Sequence, residues 1–413
     1  MRFQRSDRGQ ALVLVALGMV VLLGFIGMAT DVGTLRYEKR LLQTVADSAA
    51  IGGASEINYG DVTTGAQAAA VQNGFTTGAN GATLTVNNPP LSGPHAGNAA
   101  YVEVLATQVN STYFMKIFGV NTSTVQARAV AYLGTGPACI YALSGTATNA
   151  IELNGTTNIQ ASCGLIDDSS ASQALLNNGS GELTSRSIGV VGGYLNNGSG
   201  SISPTPQTGI VPQTDPLAYL SPPSTSACNG VVKIVTTSQT VTPDGNCYDL
   251  TIDDSPTVTL DPGPYQQIVT NGTPNVTFNP GLYTIQGGSF TINGGATVTS
   301  TAATFYITAG TVTVNGGNPV QMTAPITGSY AGVLFFQSQG DSSAAAVNGD
   351  NTTTLTGALY FPSAQLTING GNSAAAYGIL VADTIVFNGS DSFNDDYSSL
   401  AGGSPIKAAM LVE

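Results

Sequence analysis

Three residues carry the spacing of a hard-cation site. Asp168, Ser170 and Ser172 spell D-x-S-x-S, a set of oxygen ligands of the kind Mg²⁺ or Ca²⁺ takes. In a doubly wound α/β fold, ligand loops stand at the carboxyl ends of buried parallel strands and lead into crossover helices. Here the run 161–166 leads in, Asn-Gly turns follow, and no crossover helices can be found downstream. The three are weak metal candidates and read better as a polar corner of a β-structure. Adjacent carboxylates stand at Asp167-Asp168, Asp253-Asp254 and Asp395-Asp396. Sugar chemistry needs a facing pair, and neighbours on an extended strand point to opposite faces, so these read as solvated turn aspartates. A polysaccharide lyase would also need basic residues, and beyond Arg128 only Arg186, Lys233 and Lys407 exist. Tyr194, Tyr219 and Tyr265 sit in loop-like stretches where a glycan platform could form, without a distinctive pattern. The expectation is a protein with no catalytic residues and no cofactor.

The four cysteines fall in two close pairs, Cys139 with Cys163 and Cys228 with Cys247, separated by 24 and 19 residues. In an exported chain they are expected to form two structural disulfides; the alternative for each is a buried free thiol. Zinc is disfavoured by the long spacings and by the single histidine, His95, far off in a Gly/Pro-rich stretch.

Composition narrows the class. Charged residues are 8% of the chain, 51 of 413 residues are glycine, and 11 basic against 24 acidic side chains give a net charge of −13. A soluble domain ordinarily carries about 25% charge and about 7% glycine. So few cations argue against nucleic-acid binding, and a −13 protein is a poor match for pectin-like anions. With 42% hydrophobic residues the chain is too apolar to be wholly disordered.

The elements that must position these groups begin with an anchor. Residues 11–29 form an uncharged run that as a helix covers about 28 Å, close to the ~30 Å hydrocarbon layer. Arg2, Arg5 and Arg8 precede it and Asp31 follows, so the positive-inside bias puts the N-terminus in the cytoplasm and the bulk of the chain outside. A cleaved signal peptide is disfavoured: the apolar run is too long and Ala29-Thr30-Asp31 is a poor cleavage context. Leu35, Leu41, Leu42, Val45, Ala49 and Ala50 continue a helical spacing, predicting one long helix to about residue 57 whose outer half packs on a domain.

Arg8-Gly9-Gln10-Ala11, the apolar run, Ala29-Thr30-Asp31-Val32-Gly33 and the stretch from Leu41 to Ala50 (LLQTVADSAA) resemble, over about residues 8–55, the N-terminal domain of TadG-like Flp pilus-assembly proteins. The resemblance implies an inner-membrane anchor within the tight-adherence pilus machinery. A processed prepilin would carry Glu five residues after the cleavage-site Gly; Leu14 stands there, in keeping with a permanent anchor. The family frequently carries a von Willebrand A-like domain, whose metal signature D-x-S-x-S is met at Asp168, Ser170 and Ser172 only in the wrong context.

After the anchor, a short helix around 65–75, strands at 101–109 and 125–133 and a helical turn at 113–118 predict a small pilin-like α+β module over 58–134. From residue 137 the chain becomes repetitive. The segments 290–295 (FTINGG), 312–317 (VTVNGG) and 366–371 (LTINGG) are copies of one pattern, 385–390 (IVFNGS) is a weaker one, and Asn154-Gly155 and Asn178-Gly179 punctuate the earlier half. Rungs of 24, 22 and 19 residues have the size of one solenoid coil, and the 54 residues from Asn315 to Asn369 hold two or three coils with an insertion. Asn and Gly accept the positive φ that corners need. The expectation is a right-handed parallel β-helix over 137–413, with a loop excursion near 195–227 and the strand 408–412 returning as an end cap. The alternative is a β-sandwich with Asn-Gly hairpins. The expected protein is a noncatalytic, single-pass inner-membrane component of Flp/Tad pilus assembly. It touches the bilayer through residues 11–29 and pilus or envelope proteins through an exported solenoid; the alternatives are a glycan-binding surface adhesin and a polysaccharide-active β-helix enzyme.

Overall fold

The computed structural model describes residues 8–57, 60–370 and 375–413; Arg2, Arg5 and Gly371 lie outside the described residues. The chain forms two compact units, Met1–Gly134 with Ala408–Glu413, and Thr135–Lys407.

The first unit is built on helix α1, Arg8–Ser55. No proline interrupts these 48 residues, so the hydrogen-bond ladder runs for about 72 Å at 1.5 Å per residue. Its first half exposes Leu12, Leu14, Leu17, Val20, Leu23 and Ile26, whereas its second half buries Leu42, Val45, Ala46, Ala49, Ala50 and Ala54 at spacings of three and four. Helix α2, Val62–Gln72, is capped by Asp61, whose carboxylate accepts from the N–H groups of Thr63 and Thr64. The helices touch at Gly52 and Gly65: a Cβ on Gly52 would stand 2.8 Å from the Gly65 carbonyl oxygen, and one on Gly65 2.7 Å from the Gly52 oxygen.

Against α1 lies a four-stranded sheet of β1 (Thr83–Asn87), β2 (Tyr101–Ser111), β3 (Thr122–Thr135) and the C-terminal strand Lys407–Leu411. β1–β2 and β2–β3 are antiparallel. Val102, Val104, Ala106, Ala127, Ala129 and Ala131 face the helix, small residues that let helix and sheet approach closely. On the other face Glu103 is buried and accepts from Arg128 (2.7 Å), Ser92 (2.6 Å), Asn87 (2.9 Å) and the Leu91 N–H (3.1 Å). Arg128 also pairs with Glu413, and the Val130 N–H donates to the Glu413 carbonyl at 2.8 Å. The strand expected to cap the β-helix therefore belongs to this sheet instead. Its short apolar run, Ala408 to Leu411, suits a sheet edge as well as a coil end, and the pairing partner is not legible locally.

The second unit is a parallel β-helix with three strands to most coils, for example Gly281–Gln286, Phe290–Ile292 and Thr297–Ser300, stacked on Ala303–Ala309, Val312–Asn315 and Val320–Thr323. Inward positions form ladders. Tyr265, Tyr283, Phe305, Phe335 and Phe361 follow one another with ring centroids 5.0–6.4 Å apart. Val258, Val276, Val298 and Val320 share a register on another side.

The coils do not stack in chain order. The stack climbs from Val231–Val241 through Gly378–Phe393, and there the coil at 138–161 docks onto its upper edge, with Leu380 opposite Ile140, Ile385 opposite Ile151 and Asp391 opposite Ile159. The coils at 164–184 and 188–203 continue in the same direction. The chain thus builds the upper end first, returns to the lower end and climbs back to meet itself.

The return path is Gly209–Gly230. The stack holds about eleven coils, about 48 Å at one strand spacing per coil, and 22 extended residues reach about 70 Å. The contacts descend in order: the Ile210 N–H to Val190, the Gln213 N–H to Asp168 (2.9 Å), Tyr360 Oη to Asp215 (2.5 Å), Tyr330 Oη to the Ser221 carbonyl (2.8 Å), and last the Cys228–Cys247 bond. Pro212, Pro222 and Pro223 favour extended backbone on either side of a turn at 216–219. The sequence placed an exposed excursion at 195–227. Instead Tyr194–Asn197 and Ser201–Ser203 are coil strands, and Leu217 and Leu220 on the strap are buried in the core.

Candidate functional site

The exposed apolar half of α1 is the feature most directly tied to function, and its outer end is built with a second element. Asp31, the first acidic residue after the apolar run, is buried. Its Oδ1 accepts from the Tyr113 N–H at 2.8 Å, and its Oδ2 accepts from those of Phe114 (2.8 Å) and Met115 (2.6 Å). The carboxylate thereby ties the turn at 112–120 to the helix. Phe114 lies across Gly27, where a Cβ would meet its ring at 2.6 Å. An apolar groove lined by Val20, Leu23, Met28, Phe114, Ile117 and Phe118 results. Sequence reasoning used Asp31 only as the boundary of the span. A signal existed in the six-residue run 113–118 (YFMKIF), an apolar cluster broken only by Lys116.

The solenoid carries a polar spine. Asn271, Asn293, Asn315, Asn348, Asn369, Asn388, Asn154, Asn178 and Asn197 form a single side-chain ladder, each amide bonded to the next, with Asp253 at its foot. It crosses the docking of the coils through the 3.1 Å bond from Asn154 to Asn388. The 54-residue gap resolves into steps of 33 and 21 through Asn348. None of these asparagines has positive φ, so the ladder, not the backbone, selects Asn. The following glycine is selected by positive φ at Gly155, Gly179, Gly198, Gly272 and Gly370, and at some rungs by proximity as well: a Cβ on Gly179 would stand 2.2 Å from the Gly155 carbonyl oxygen, and one on Gly198 2.2 Å from that of Gly179.

The residues weighed for chemistry are spent on holding coils. Asp168 Oδ1 receives the strap N–H of Gln213, and Ser170 Oγ donates to the Gly145 carbonyl at 2.8 Å. Ser172 contributes backbone to the same corner, where a Cβ on Gly193 would stand 2.3 Å from its carbonyl oxygen. The arrangement is a corner wired to its neighbours, with Asp168 turned to the strap and Ser170 to the Gly145 carbonyl. Among the described residues no three His, Cys, Asp or Glu side chains converge into a metal-sized group. Asp253 Oδ1 accepts from Asn271 and Asp396 Oδ1 from the Ser398 N–H. Asp395 pairs with Arg186 at 2.9 Å. Burial pushes the Asp167 carboxyl up to about 7, with the adjacent Asp168 adding and the Ser169 N–H opposing. Burial likewise pushes Asp391 up to about 8 against the Ser392 N–H. These are interior carboxyls between coils, not a facing pair. Tyr265 is buried and Tyr219 donates to the Pro405 carbonyl, which leaves Tyr194 as the exposed ring of the three.

The sulfurs of Cys139 and Cys163 are bonded, with Cα atoms 5.7 Å apart, joining neighbouring coils; the Cys228–Cys247 bond, with Cα atoms 5.2 Å apart, fastens the lower end of the strap.

Fold and site define a class: a protein with an apolar N-terminal helix long enough to span a membrane, a small α+β module and a parallel β-helix. The N-terminal part of the chain is similar to two families of pilus-assembly proteins. Residues 9–56 match the family described as "Putative Flp pilus-assembly TadE/G-like", and residues 36–131 match "Putative Tad-like Flp pilus-assembly". Neither a curated protein nor a solved structure matches the chain.

Proposed function

We propose that the protein is a noncatalytic, single-pass inner-membrane component of Flp/Tad-type pilus assembly whose β-helix serves as a rigid assembly or display surface for pilus or envelope proteins. The observation that carries this reading is the coincidence of the two family matches with a helix whose first half is apolar and exposed and whose second half is packed on its own sheet. The basic residues before the span favour a cytoplasmic N-terminus and a periplasmic or extracellular solenoid, and two disulfides suit an oxidising compartment.

The fold dictates how to test it. Truncation after residue 133 would also remove the C-terminal strand of the first unit. The Gly136 N–H donates to the Ile406 carbonyl at 2.9 Å, so joining these two residues excises the solenoid alone. A strain carrying this excision, and one lacking the gene, are scored for pilus number and surface attachment. Loss in both supports the reading; normal pili and attachment in both refute it. Normal pili in the excision strain with loss in the deletion strain would confine the role to the anchor unit.

A further inference from the structure

We propose that the turn 113–120 is a second membrane contact, seated in the outer leaflet's interfacial region beside α1. The inference rests on the membrane-anchored reading of α1 and extends the contact beyond the helix. Ile117 and Phe118 are 76% and 77% exposed, and Tyr113, Phe114 and Val120 are exposed beside them. A turn with this composition is unfavourable in water. The patch is continuous with the exposed apolar face of the helix, because Phe114, Ile117 and Phe118 line one groove with Val20, Leu23 and Met28.

The backbone of the turn is prepared for a medium without water. Tyr113, Phe114 and Met115 donate their N–H groups to Asp31, Ile117 donates to the Phe114 carbonyl, Gly119 to Lys116, and Val120 to Met115. Internal satisfaction of this kind is what lipid demands and water does not. Aromatic side chains at the boundary match the interfacial belts of membrane proteins, and the exposed Lys116 can run its stem along the apolar surface and lift its ammonium to the headgroups. Asp31, which would otherwise bring a bare carboxylate to the membrane surface, is enclosed by three donors from the same turn. The occupant of the groove is therefore lipid.

The chain contains no tryptophan, so a single introduced Trp is a clean reporter. Phe118→Trp and Ile117→Trp are made in the full chain, with Leu22→Trp in the helix and Val232→Trp on the solenoid as references. Each protein is reconstituted into phosphatidylethanolamine/phosphatidylglycerol vesicles containing lipids brominated along the acyl chain. Blue-shifted emission from either turn reporter, quenched to at least half the extent of Leu22→Trp and most strongly by shallow bromines, supports the proposal. Emission from both turn reporters like that of Val232→Trp, with Leu22→Trp quenched, overturns the proposal and leaves the anchor intact. Blue-shifted emission indifferent to bromine also overturns it and assigns the patch to a protein contact. An unquenched Leu22→Trp overturns the anchor and the proposal together.

Discussion

Replacing Leu217 by alanine tests whether the strap is part of the fold. Leu217 is fully buried and belongs to the solenoid core. Its backbone N–H is held by Asp215 at 2.9 Å, and Asp215 in turn receives the Tyr360 hydroxyl at 2.5 Å. Truncating a fully buried leucine removes its transfer energy and leaves a cavity, about 2–5 kcal/mol together. The upper part of that range applies here, because the strap is pinned on both sides of the site, at Gln213 by Asp168 and at Ser221 by Tyr330, and cannot readily collapse into the void. Val211 lies on the same strap and is 76% exposed, so Val211→Ala should change stability by no more than about 0.5 kcal/mol. Urea denaturation of the full-length protein, followed by tyrosine fluorescence and by pulse proteolysis for cleavage within 209–230, measures both variants. If Leu217→Ala costs no more than Val211→Ala, the strap is a loose connection and its ordering of the stack is wrong.

The interior carboxyls give a pH dependence. Asp391 is raised from 3.8 to about 8, so the folded state holds a proton that the unfolded chain gives up. The stability it contributes is full below about pH 3.8 and is lost as pH rises through 8; Asp391→Asn should flatten this decline in thermal melts of the solenoid between pH 4 and 8. Glu103 runs the other way. Burial alone would raise it, but the donors Ser92, Asn87, Arg128 and the Leu91 N–H outweigh burial and hold it at about 2. Its contribution is therefore present above pH 4.5 and lost as pH falls through 2, and amide exchange in β2 of Glu103→Gln should lack that acid-side change. Asn154 joins the ladder across the coil junction by bonds to Asn388 and Asn178. Asn154→Ala should cost about 1–2 kcal/mol and raise hydrogen exchange in Ala138–Ala142 and Gly378–Phe387 more than in Val231–Val235, and a uniform rise would argue against a distinct junction.

What the sequence made legible depended on whether the determining contact was local. The span of α1 and the buried spacing from Leu42 to Ala54 follow from helix periodicity, and the structure has both. The Asn-Gly copies announced coils because each coil must repeat the same ladder and the same close backbone approach. The strand Thr83–Asn87 was hidden in a Gly-, Asn- and Pro-rich stretch, where its alternation is only two apolar residues long. The return of Ala408–Leu411 to the first sheet depends on Val130 and Arg128, far away in sequence. The order of the coils was equally hidden, since any coil with Asn and an inward apolar pattern can dock on any other. Asp31 has the look of a mere boundary charge in the sequence because its three donors lie more than eighty residues away.

The chain order of the β-helix follows from what each end of a solenoid lacks. A parallel coil has two open edges, and a stack built in simple order presents one at its first coil and one at its last. Here the coil at 138–161, the first in sequence, is covered on both sides, by 378–393 below and 164–184 above. Gly136 and Ile406, where the chain enters and leaves the unit, are then hydrogen-bonded neighbours near the upper end of the stack. A solenoid whose entry and exit coincide can be inserted between β3 and the C-terminal strand without disturbing the sheet that holds both, and Arg128 clasping Glu413 keeps that sheet closed. The open edges are left at Val231–Val235 and at 188–208, where Val232 and Ile234 at one end and Leu195 at the other are exposed. Among the described residues no segment of the unit covers these two coil ends as a further strand.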